Sequence, residues 1–326
     1  MDNATPKISI ITPSFNQGSY LEETILSIIN QNYSNYELLI IDAGSTDSTL
    51  EVIHKYEQHI TYWVSEPDRG QSHAIQKGLE KATGDIVNWI NSDDLLAPGA
   101  LHAIAAEFNL AKYDVFCGYC DYFVNTLAQL DKRNERMKLF ESVGHTLTEV
   151  HICQPSTFFK TSVMKRLGID EQFRYTMDVD LWFRYLLEAG HSRIQFSEAL
   201  LTYFRLHDTS KSVAENSHFI GDIYRVFYNI AVSLNQPPAV LNFLRTKIPA
   251  NAKFVPKSYP IGIPVGELKE FVHHVAWQAL VYYNEQKDWK AARECLALAY
   301  QHRQQLSLSM VKQLFKLRVL PAGLLR

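Results

Sequence analysis

The chain has 326 residues, of which 46% are hydrophobic, and its formal net charge is -3. This length and composition are typical of a globular protein with one large domain or two ordinary ones. The near-neutral charge and the lack of a basic stripe argue against a nucleic-acid partner.

Membrane and export signals are missing from the sequence pattern. Residues 1–7 contain no apolar run of the signal-peptide type, and no window reaches 18 uncharged apolar residues. We therefore expect a cytoplasmic protein, with peripheral binding to the inner face of the membrane as the alternative.

Four cysteines are too few for a disulfide scaffold at this length. Cys117 and Cys120 form a C-x-x-C, but they lie in a strand-like run at 114–123, where this spacing places them on opposite faces. A redox pair is expected at a helix N-terminus instead. We interpret the cysteines as buried structural thiols in a reducing compartment.

The first half of the sequence alternates strand and helix patterns. Strands are predicted at 7–12, 36–41, 60–64 and 85–90, and helices at 18–31, 45–54 and 70–81. Strands separated by helices indicate βαβ units and a largely parallel sheet, hence an α/β fold.

After residue 110 the alternation is weaker. Strand patterns are found at 114–123, 157–160, 192–196 and 201–206, a helix pattern at 178–189, and a long polar connection at 131–148. The polar connection is a candidate for a segment that folds over a site.

From about residue 217 the strand pattern nearly vanishes, so we predict two domains, 1–216 and a helical region at 217–326. Within the latter, residues 276–300 predict a helix, a turn and a second helix, similar to one tetratricopeptide unit. A single unit cannot bury its own apolar face. We expect this region to pack on the first domain or on a partner, which includes a second copy of the chain as a homo-oligomer.

The most informative segment is 89–94, with the sequence WINSDD. It places Asp93 and Asp94 at the carboxyl end of a predicted strand, where ligands bind in open α/β sheets. Two hard oxygen ligands suit a divalent cation that keeps waters and a diphosphate in its other positions. The structural alternative is that Asp94 caps the helix after Pro98 and Asp93 is a turn residue.

Four ordered motifs carry a family resemblance. They are IITPSFNQGSYLEETILSI at 10–28, LIIDAGSTDST at 39–49, EPDRGQSHAIQKG at 66–78 and NSDD at 91–94. Together they resemble family 2 glycosyltransferases of the GT-A fold over roughly residues 7–215. The resemblance implies a mixed Rossmann-like sheet, a nucleotide-sugar donor (most often UDP-linked), Mn²⁺ or Mg²⁺, and inversion at the anomeric carbon.

The predicted donor site begins after the first strand. There the backbone and short side chains of Thr12, Pro13, Ser14 and Asn16 can cradle a nucleotide, the alternative being a proline turn. The resemblance places Asp42, at the end of the second strand, against a pyrimidine base. A helix cap is the alternative for Asp42, although Ser45 is already placed to cap the next helix.

The resemblance also places Asp68 and Arg69 beside the base and ribose, with a surface ion pair as the alternative. Asn91 stands where the family has the first acid of its D-x-D motif, and it can hydrogen-bond a ribose or a metal-bound water. Ser92 is assigned to the donor site with it.

Asp93 matches the metal-binding carboxylate of the motif, and Asp94 is expected to replace the charge that Asn91 does not supply. In residues 205–212, which resemble a closing loop, His207 is a further candidate for the metal or the diphosphate. The alternative for His207 is a structural role.

Residues 177–182, MDVDLW, resemble the family's E-D-x-D-L-W segment, with Met177 in place of the usual Glu. Asp178 matches the base that takes the proton of the acceptor hydroxyl. A plain N-terminal helix carboxylate is the alternative.

These patterns predict an inverting glycosyltransferase of the hexosyl or N-acetylhexosaminyl type in glycan or polysaccharide biosynthesis. Glycan, lipid-linked and protein acceptors all stay open. One alternative is a nucleotidyltransferase, which would need a glycine-rich basic loop after the first strand. The other is a non-catalytic GT-A-like scaffold whose helical region binds a partner.

Overall fold

A computed structural model describes residues 5–207, 216–250 and 253–303, with residues 308, 309, 312, 313 and 317. The chain divides into two compact units. The first comprises the chain up to Lys138, Ile152–Leu181 and His191–Asn216, and the second comprises Leu139–His151, Trp182–Gly190 and the chain from Ser217. A single boundary at 216/217 does not include the two earlier segments of the second unit.

The described chain contains nine strands in one sheet. They are β1 (Ile8–Ser14), β2 (Tyr36–Asp42), β3 (Tyr62–Ser65), β4 (Ile86–Trp89), β5 (Leu95–Leu96), β6 (Val115–Val124), β7 (Leu130–Glu135), β8 (Thr157–Lys160) and β9 (Ile194–Leu206). The order is β3-β2-β1-β4-β8-β6-β9-β5, with β7 paired to β6.

The α-helices are α1 (Gly18–Ile29), α2 (Thr49–Lys55), α3 (Gln71–Lys81), α4 (Ala100–Glu107), α5 (Val143–Glu149), α6 (Thr161–Leu167), α7 (Met177–Ala189), α8 (Asn216–Ser233), α9 (Pro238–Lys247), α10 (Lys269–Glu285) and α11 (Trp289–Gln301). Short 3-10 turns occur at Glu57–His59, Leu127–Gln129 and Val265–Leu268. None of the described helices is long and apolar enough to cross a membrane.

The first half of the sheet is parallel, as the alternating pattern predicts. β1 pairs in parallel with β2 and β4, and β2 pairs in parallel with β3. All seven residues of β1 are buried, because both faces of a parallel sheet are covered. On one face, Ile8 and Ile10 join Leu21, Ile25 and Ile28 of α1 in the core.

The second half of the sheet is mixed. β8 is antiparallel to β4 and β6, while β6 and β9 are parallel. The two strands predicted at 192–196 and 201–206 form one strand, β9, whose pairing with β6 is irregular between Cys117 and Cys120. The four cysteines are free and buried, as predicted.

The prediction of a polar connection at 131–148 is wrong, since this stretch contains β7 and α5. β7 has the sequence LDKRNE and is largely exposed. Charged residues are common on strands at sheet edges, so this strand lacks the apolar alternation on which the prediction depended.

In the second unit, α10 and α11 form the predicted helix, turn and helix. Small buried residues lie on both helices: Ala276 and Ala279 on α10, and Ala292 and Ala299 on α11. α5 also packs here, and a Cβ added to Gly144 would meet backbone atoms of residues 267–271 at 2.9–3.0 Å. This close approach explains why residues 139–151 belong to the second unit.

Candidate functional site

The predicted donor-site residues lie in the first unit, at the carboxyl edge of its parallel strands. Ser14 pairs with Asp42, and Asp42 pairs with Ser65, at the ends of β1, β2 and β3. Ile11 of β1 pairs with Trp89 of β4, just before the 91–94 segment. Parallel pairing therefore brings three of the motifs to one edge, the usual ligand position in such sheets.

Two hydroxyl groups at the end of β1 are buried without a partner. The Thr12 and Ser14 side chains have no hydrogen bond to any described residue, and their residues are 0% and 5% exposed. Buried polar groups in native proteins are nearly always hydrogen-bonded, so such pairs commonly mark a ligand or water position. Pro13, between them, is buried as well.

Asn16 shapes the loop after β1. It adopts a left-handed conformation with φ 53°. Its side-chain oxygen accepts a hydrogen bond from the Thr46 amide at 2.9 Å, and its own amide donates to Ser45 Oγ at 2.7 Å. The loops that follow β1 and β2 are thus joined through Asn16.

Asp42 is fully buried, and its carboxylate accepts four hydrogen bonds. The donors are the amides of Gly44 and Ser45 at 3.0 and 2.9 Å and the hydroxyls of Ser45 and Ser65 at 2.5 and 2.6 Å. Asp42 therefore builds the loop after β2, and a contact with a base would require one of these donors to move.

The predicted cap at Ser45 is wrong, because α2 begins four residues later, at Thr49. The amide and hydroxyl of Thr49 donate to Asp47 instead. Ser45 is engaged with Asp42 and Asn16, which explains why it is not available as a cap.

Asp68 and Arg69 occupy the turn before α3. The Asp68 carboxylate accepts a hydrogen bond from the Gly70 amide at 2.7 Å. Arg69 is exposed and donates twice to Glu171, at 2.8 and 3.0 Å. The surface ion pair that was the alternative interpretation of Arg69 is therefore present in the structure.

Asn91 and Asp94 form a closed hydrogen-bond network. Asn91 accepts from Gln71 at 2.7 Å and donates to Asp94 at 3.0 Å. The other oxygen of Asp94 accepts from the Arg205 amide at 3.1 Å. Asp94 is 1% exposed, and burial, followed by the charge of neighbouring Asp93, raises its pKa well above the usual range.

Both carboxylate oxygens of Asp94 therefore accept a hydrogen bond from the protein. The assignment of Asp94 as a metal ligand beside Asp93 stays a prediction. Ser92, between Asn91 and Asp93, is buried at 5% exposure.

Asp93 and His207 lie side by side. The His207 Nε2 and Asp93 Oδ2 atoms are 2.9 Å apart, and the side chains are 5% and 21% exposed. Two ligand atoms that each lie about 2.1 Å from a six-coordinate cation, at right angles to one another, are separated by about 3 Å. The same 2.9 Å is a direct hydrogen bond between the two side chains, as the structural alternative for His207 requires, and it also matches the spacing of neighbouring ligands of a divalent cation.

No group of three or more His, Cys, Asp and Glu side chains in the described residues could hold a metal ion. A cation at Asp93 and His207 would need further ligands from a diphosphate or water, as is usual for Mg²⁺ with phosphate substrates. Of the predicted closing loop, residues 208–212 lie outside the described part of the chain.

Asp178 lies in the first turn of α7, within the part of this helix that belongs to the first unit. Burial raises its pKa from the usual 3.8 to about 6, although a hydrogen bond from the Val179 amide acts in the opposite direction. A carboxyl group with a pKa near neutrality is suited to act as a general base.

The segment before α7 is attached to the start of α3. The Ser72 hydroxyl donates to the Phe173 carbonyl, and Arg69 pairs with Glu171. Gln71, the first residue of α3, contacts Asn91. The start of α3 therefore connects the 91–94 segment to the residues that precede Asp178.

Sequence reasoning named Arg205 only as part of the closing-loop segment 205–212, and it did not select Tyr20 or Gln71. All three residues contact predicted site residues. For Arg205 a signal was present, because a single arginine stands in the otherwise uncharged run LLTYFRL at 200–206. A charged residue in a buried strand needs partners.

The carboxyl edge of the parallel strands, where the buried hydroxyls of Thr12 and Ser14 lie, is the usual ligand position in open α/β sheets. The family model Glycosyl transferase family 2 matches residues 9–168. This region of the chain therefore belongs to glycosyl transferase family 2, as the motifs predicted.

Two relatives and one solved structure extend the comparison. An uncharacterized glycosyltransferase of Rickettsia typhi is 31% identical over 63% of this chain and 65% of its own length. A GalNAc(5)-diNAcBac-PP-undecaprenol beta-1,3-glucosyltransferase of Campylobacter jejuni is 28% identical over 54% and 59%. The crystal structure of S. aureus TarS 1-349 with UDP-GlcNAc has a TM-score of 0.57, 17% identity, and coverage of 93% and 94%.

The structural likeness confirms the predicted GT-A fold, with its mixed sheet and a helical region after it. The chain spans a little less than two thirds of the length of the two relatives.

Proposed function

We propose that this chain is an inverting glycosyltransferase that moves a sugar from a nucleoside diphosphate to an acceptor hydroxyl. The observation that carries the proposal is the Asp93–His207 pair at the carboxyl edge of a family 2 domain. It supplies two cation ligands at the place where the donor's diphosphate is expected.

UDP is the proposed nucleotide, and a hexose or N-acetylhexosamine the proposed sugar. Support comes from the UDP-GlcNAc complex of S. aureus TarS, which shares the fold. The lipid-linked substrate in the name of the Campylobacter jejuni relative favours a lipid-linked acceptor in polysaccharide biosynthesis. With such an acceptor, the protein would act at the cytoplasmic face of a membrane.

In the proposed site, the hydroxyls of Thr12 and Ser14 meet the nucleotide, which provides the partners that the protein does not. Asn16 and Asp42 act indirectly, because their hydrogen bonds hold the loops after β1 and β2 that surround the nucleotide. We keep Asp68 and Arg69, in the turn before α3, and the buried Ser92 as proposed donor contacts.

Asp93 and His207 would hold Mn²⁺ or Mg²⁺, which offsets the charge of the leaving diphosphate when bound. Asp178 accepts the proton of the acceptor hydroxyl as this oxygen attacks the anomeric carbon opposite the leaving group. Its pKa near 6 leaves the carboxylate mostly ionised at neutral pH and still able to take the proton.

A homo-oligomer through α10 and α11 is proposed as the way to cover the apolar side chains that these helices leave partly exposed. Trp289, at the start of α11, is 42% exposed. The division into domains 1–216 and 217–326 stays a prediction.

UDP binding measured by calorimetry with Mn²⁺ and with EDTA tests the proposal. Asp93→Asn should weaken Mn²⁺-dependent binding by more than about tenfold, since even residues that support a metal ligand are worth 10–100-fold. Asp131→Asn is the matched control, because Asp131 is an exposed aspartate in a surface pair with Arg133. UDP binding that is the same in EDTA and in Mn²⁺ would refute the metal assignment.

Donor turnover separates the enzyme from the scaffold alternative. An enzyme should hydrolyse UDP-sugar slowly without an acceptor, and Asp93→Asn should abolish this activity. A chain that binds UDP but never cleaves any UDP-sugar would support the scaffold.

A further inference from the structure

Arg205, at the end of β9, is an arginine that is almost completely buried. Its residue is 1% exposed, and its guanidinium lies between the rings of Tyr20 and Phe123, at 4.9 and 4.5 Å from their centroids. Burial of a charge is costly unless the charge is paired and hydrogen-bonded. The arrangement of its partners is therefore informative.

The guanidinium donates in three directions. Nε donates to the carbonyl of Asp93 at 2.9 Å, Nη1 to the carbonyl of Asn125 at 2.5 Å, and Nη2 to the carboxylate of Glu23 at 2.9 Å. The Arg205 amide also donates to Asp94. One residue thus holds the backbone of Asp93 and the side chain of its neighbour.

The same cluster reaches the second proposed metal ligand. His207 follows Arg205 by two residues, and its ring packs on the ring of Tyr20 with centroids 4.8 Å apart. Tyr20 and Glu23 lie one turn apart on α1, so the first part of this helix contacts Arg205 through a ring and a carboxylate.

We propose that Arg205 is a positioning residue that sets the separation of Asp93 and His207, with Glu23 orienting its guanidinium. The inference rests on the proposed function, because it assigns a purpose to the proposed metal ligands. A planar fork that donates in three fixed directions is specific to arginine, and lysine cannot reproduce it. Supporting residues of this kind commonly fix the geometry of metal ligands.

The variant Arg205→Lys tests the proposal. Its Mn²⁺ binding is measured in the presence of UDP from the electron paramagnetic resonance signal of free Mn²⁺. The Kd for Mn²⁺ should rise by about 10–100-fold, while UDP binding in EDTA stays at the wild-type level. Turnover lost at low Mn²⁺ should recover as Mn²⁺ is raised, which a general loss of structure would not allow.

Arg193→Lys is the matched control. Arg193 makes a two-pronged pair with Asp114, at 2.6 and 2.8 Å, and neither residue contacts the proposed ligands through these bonds. This variant should lower the Tm and leave the Kd for Mn²⁺ unchanged.

Glu23→Gln is a second variant that keeps the arginine and removes only a half-exposed carboxylate charge. It should shift the Kd for Mn²⁺ in the same direction by a smaller factor, and it decides the question if Arg205→Lys does not fold. Wild-type Mn²⁺ affinity in the folded variants would overturn the inference and leave the proposed function standing. Wild-type protein that shows no effect of Mn²⁺ on UDP binding would refute both the metal assignment and this inference.

Discussion

At the amino ends of β1 and β2, the carboxylate of Glu37 is surrounded by donors. It is 2% exposed, pairs with Lys7 at 2.6 Å, and accepts hydrogen bonds from Ser9 at 2.6 Å and from Thr83 at 2.5 and 2.8 Å. Burial alone would raise its pKa, but these donors lower it from the usual 4.5 to about 2.

The candidate site has the opposite character. Asp178 accepts hydrogen bonds only from the nearby backbone amides of Val179 and of Asp178 itself among the groups that shift its pKa, and burial outweighs them and raises the pKa to about 6. Thr12 and Ser14 keep hydroxyls that no described residue satisfies. One region thus stabilises a charge completely, whereas the other leaves polar groups incompletely paired.

The difference is the one expected between a structural carboxylate and the proposed catalytic one. A carboxylate that is fully hydrogen-bonded, such as Glu37, adds stability and cannot exchange a proton near neutral pH. A poorly solvated carboxylate lowers stability but has the pKa that a base requires. Five predictions test this contrast, beginning with the largest effect.

Asp178→Asn should lower turnover by about 10²–10⁴-fold, the usual contribution of a positioned base. The amide cannot take the acceptor's proton, while UDP affinity should be close to that of the wild type. Steady-state kinetics and calorimetry measure the two quantities.

Asp180→Asn is the control for that variant, since Asp180 is a buried carboxylate on the same helix. It should lose stability but keep turnover per folded molecule. If Asp178→Asn kept turnover and lost UDP binding, Asp178 would belong to the donor site.

Glu37→Gln should lower the free energy of unfolding by about 2–4 kcal/mol at pH 7, because the new amide group faces donors and Lys7 loses its partner. Urea denaturation measures it, and UDP affinity should not change. Glu66→Gln is the control, because Glu66 pairs with Lys77 at 2.7 Å but is exposed. Equal losses in the two variants would contradict the structural role of Glu37.

The stability difference between the wild type and Glu37→Gln depends on pH. The pKa of Glu37 is lower in the folded state, so its stabilising effect is complete above pH 4.5 and is lost as the pH falls towards 2. The advantage of the wild type over Glu37→Gln should therefore decrease in acid.

Asp178→Asn should stabilise the protein by about 1–3 kcal/mol above pH 6, because a raised pKa means that the folded state disfavours the carboxylate. The gain should shrink as the pH falls from about 6 to 3.8, where both folded and unfolded chains become protonated. Thermal unfolding at several pH values measures it. A gain that grows in acid would have the wrong sign for this explanation.

The smallest effects are expected at the exposed ion pair between Arg69 and Glu171. Both Arg69→Gln and Glu171→Gln should change stability by less than about 1 kcal/mol, as for most exposed ion pairs. If Arg69 also contacts the donor, only Arg69→Gln should raise the KM for UDP-sugar. Equal KM values in both variants would limit Arg69 to the surface pair.

Much of the site was predictable from local sequence. The ends of β1, β2 and β4 are marked by apolar runs that stop at polar residues, and parallel pairing then brings Ser14, Asp42 and the 91–94 segment to one edge. Asp93 was selected on this basis. β7 was missed, because an exposed edge strand needs no apolar pattern.

By itself the sequence determined the βαβ order, the family, the carboxyl-edge position of the motifs and the helical character of the C-terminal region, since periodicity and motif spacing are local properties. Only the tertiary structure decided which carboxylates are occupied. Asp93 and Asp94 are neighbours in sequence, yet Asp94 is enclosed by Asn91 and Arg205 whereas Asp93 faces His207. These partners lie far along the chain, and the pKa and the hydrogen bonds of a carboxylate depend on the groups that folding places around it.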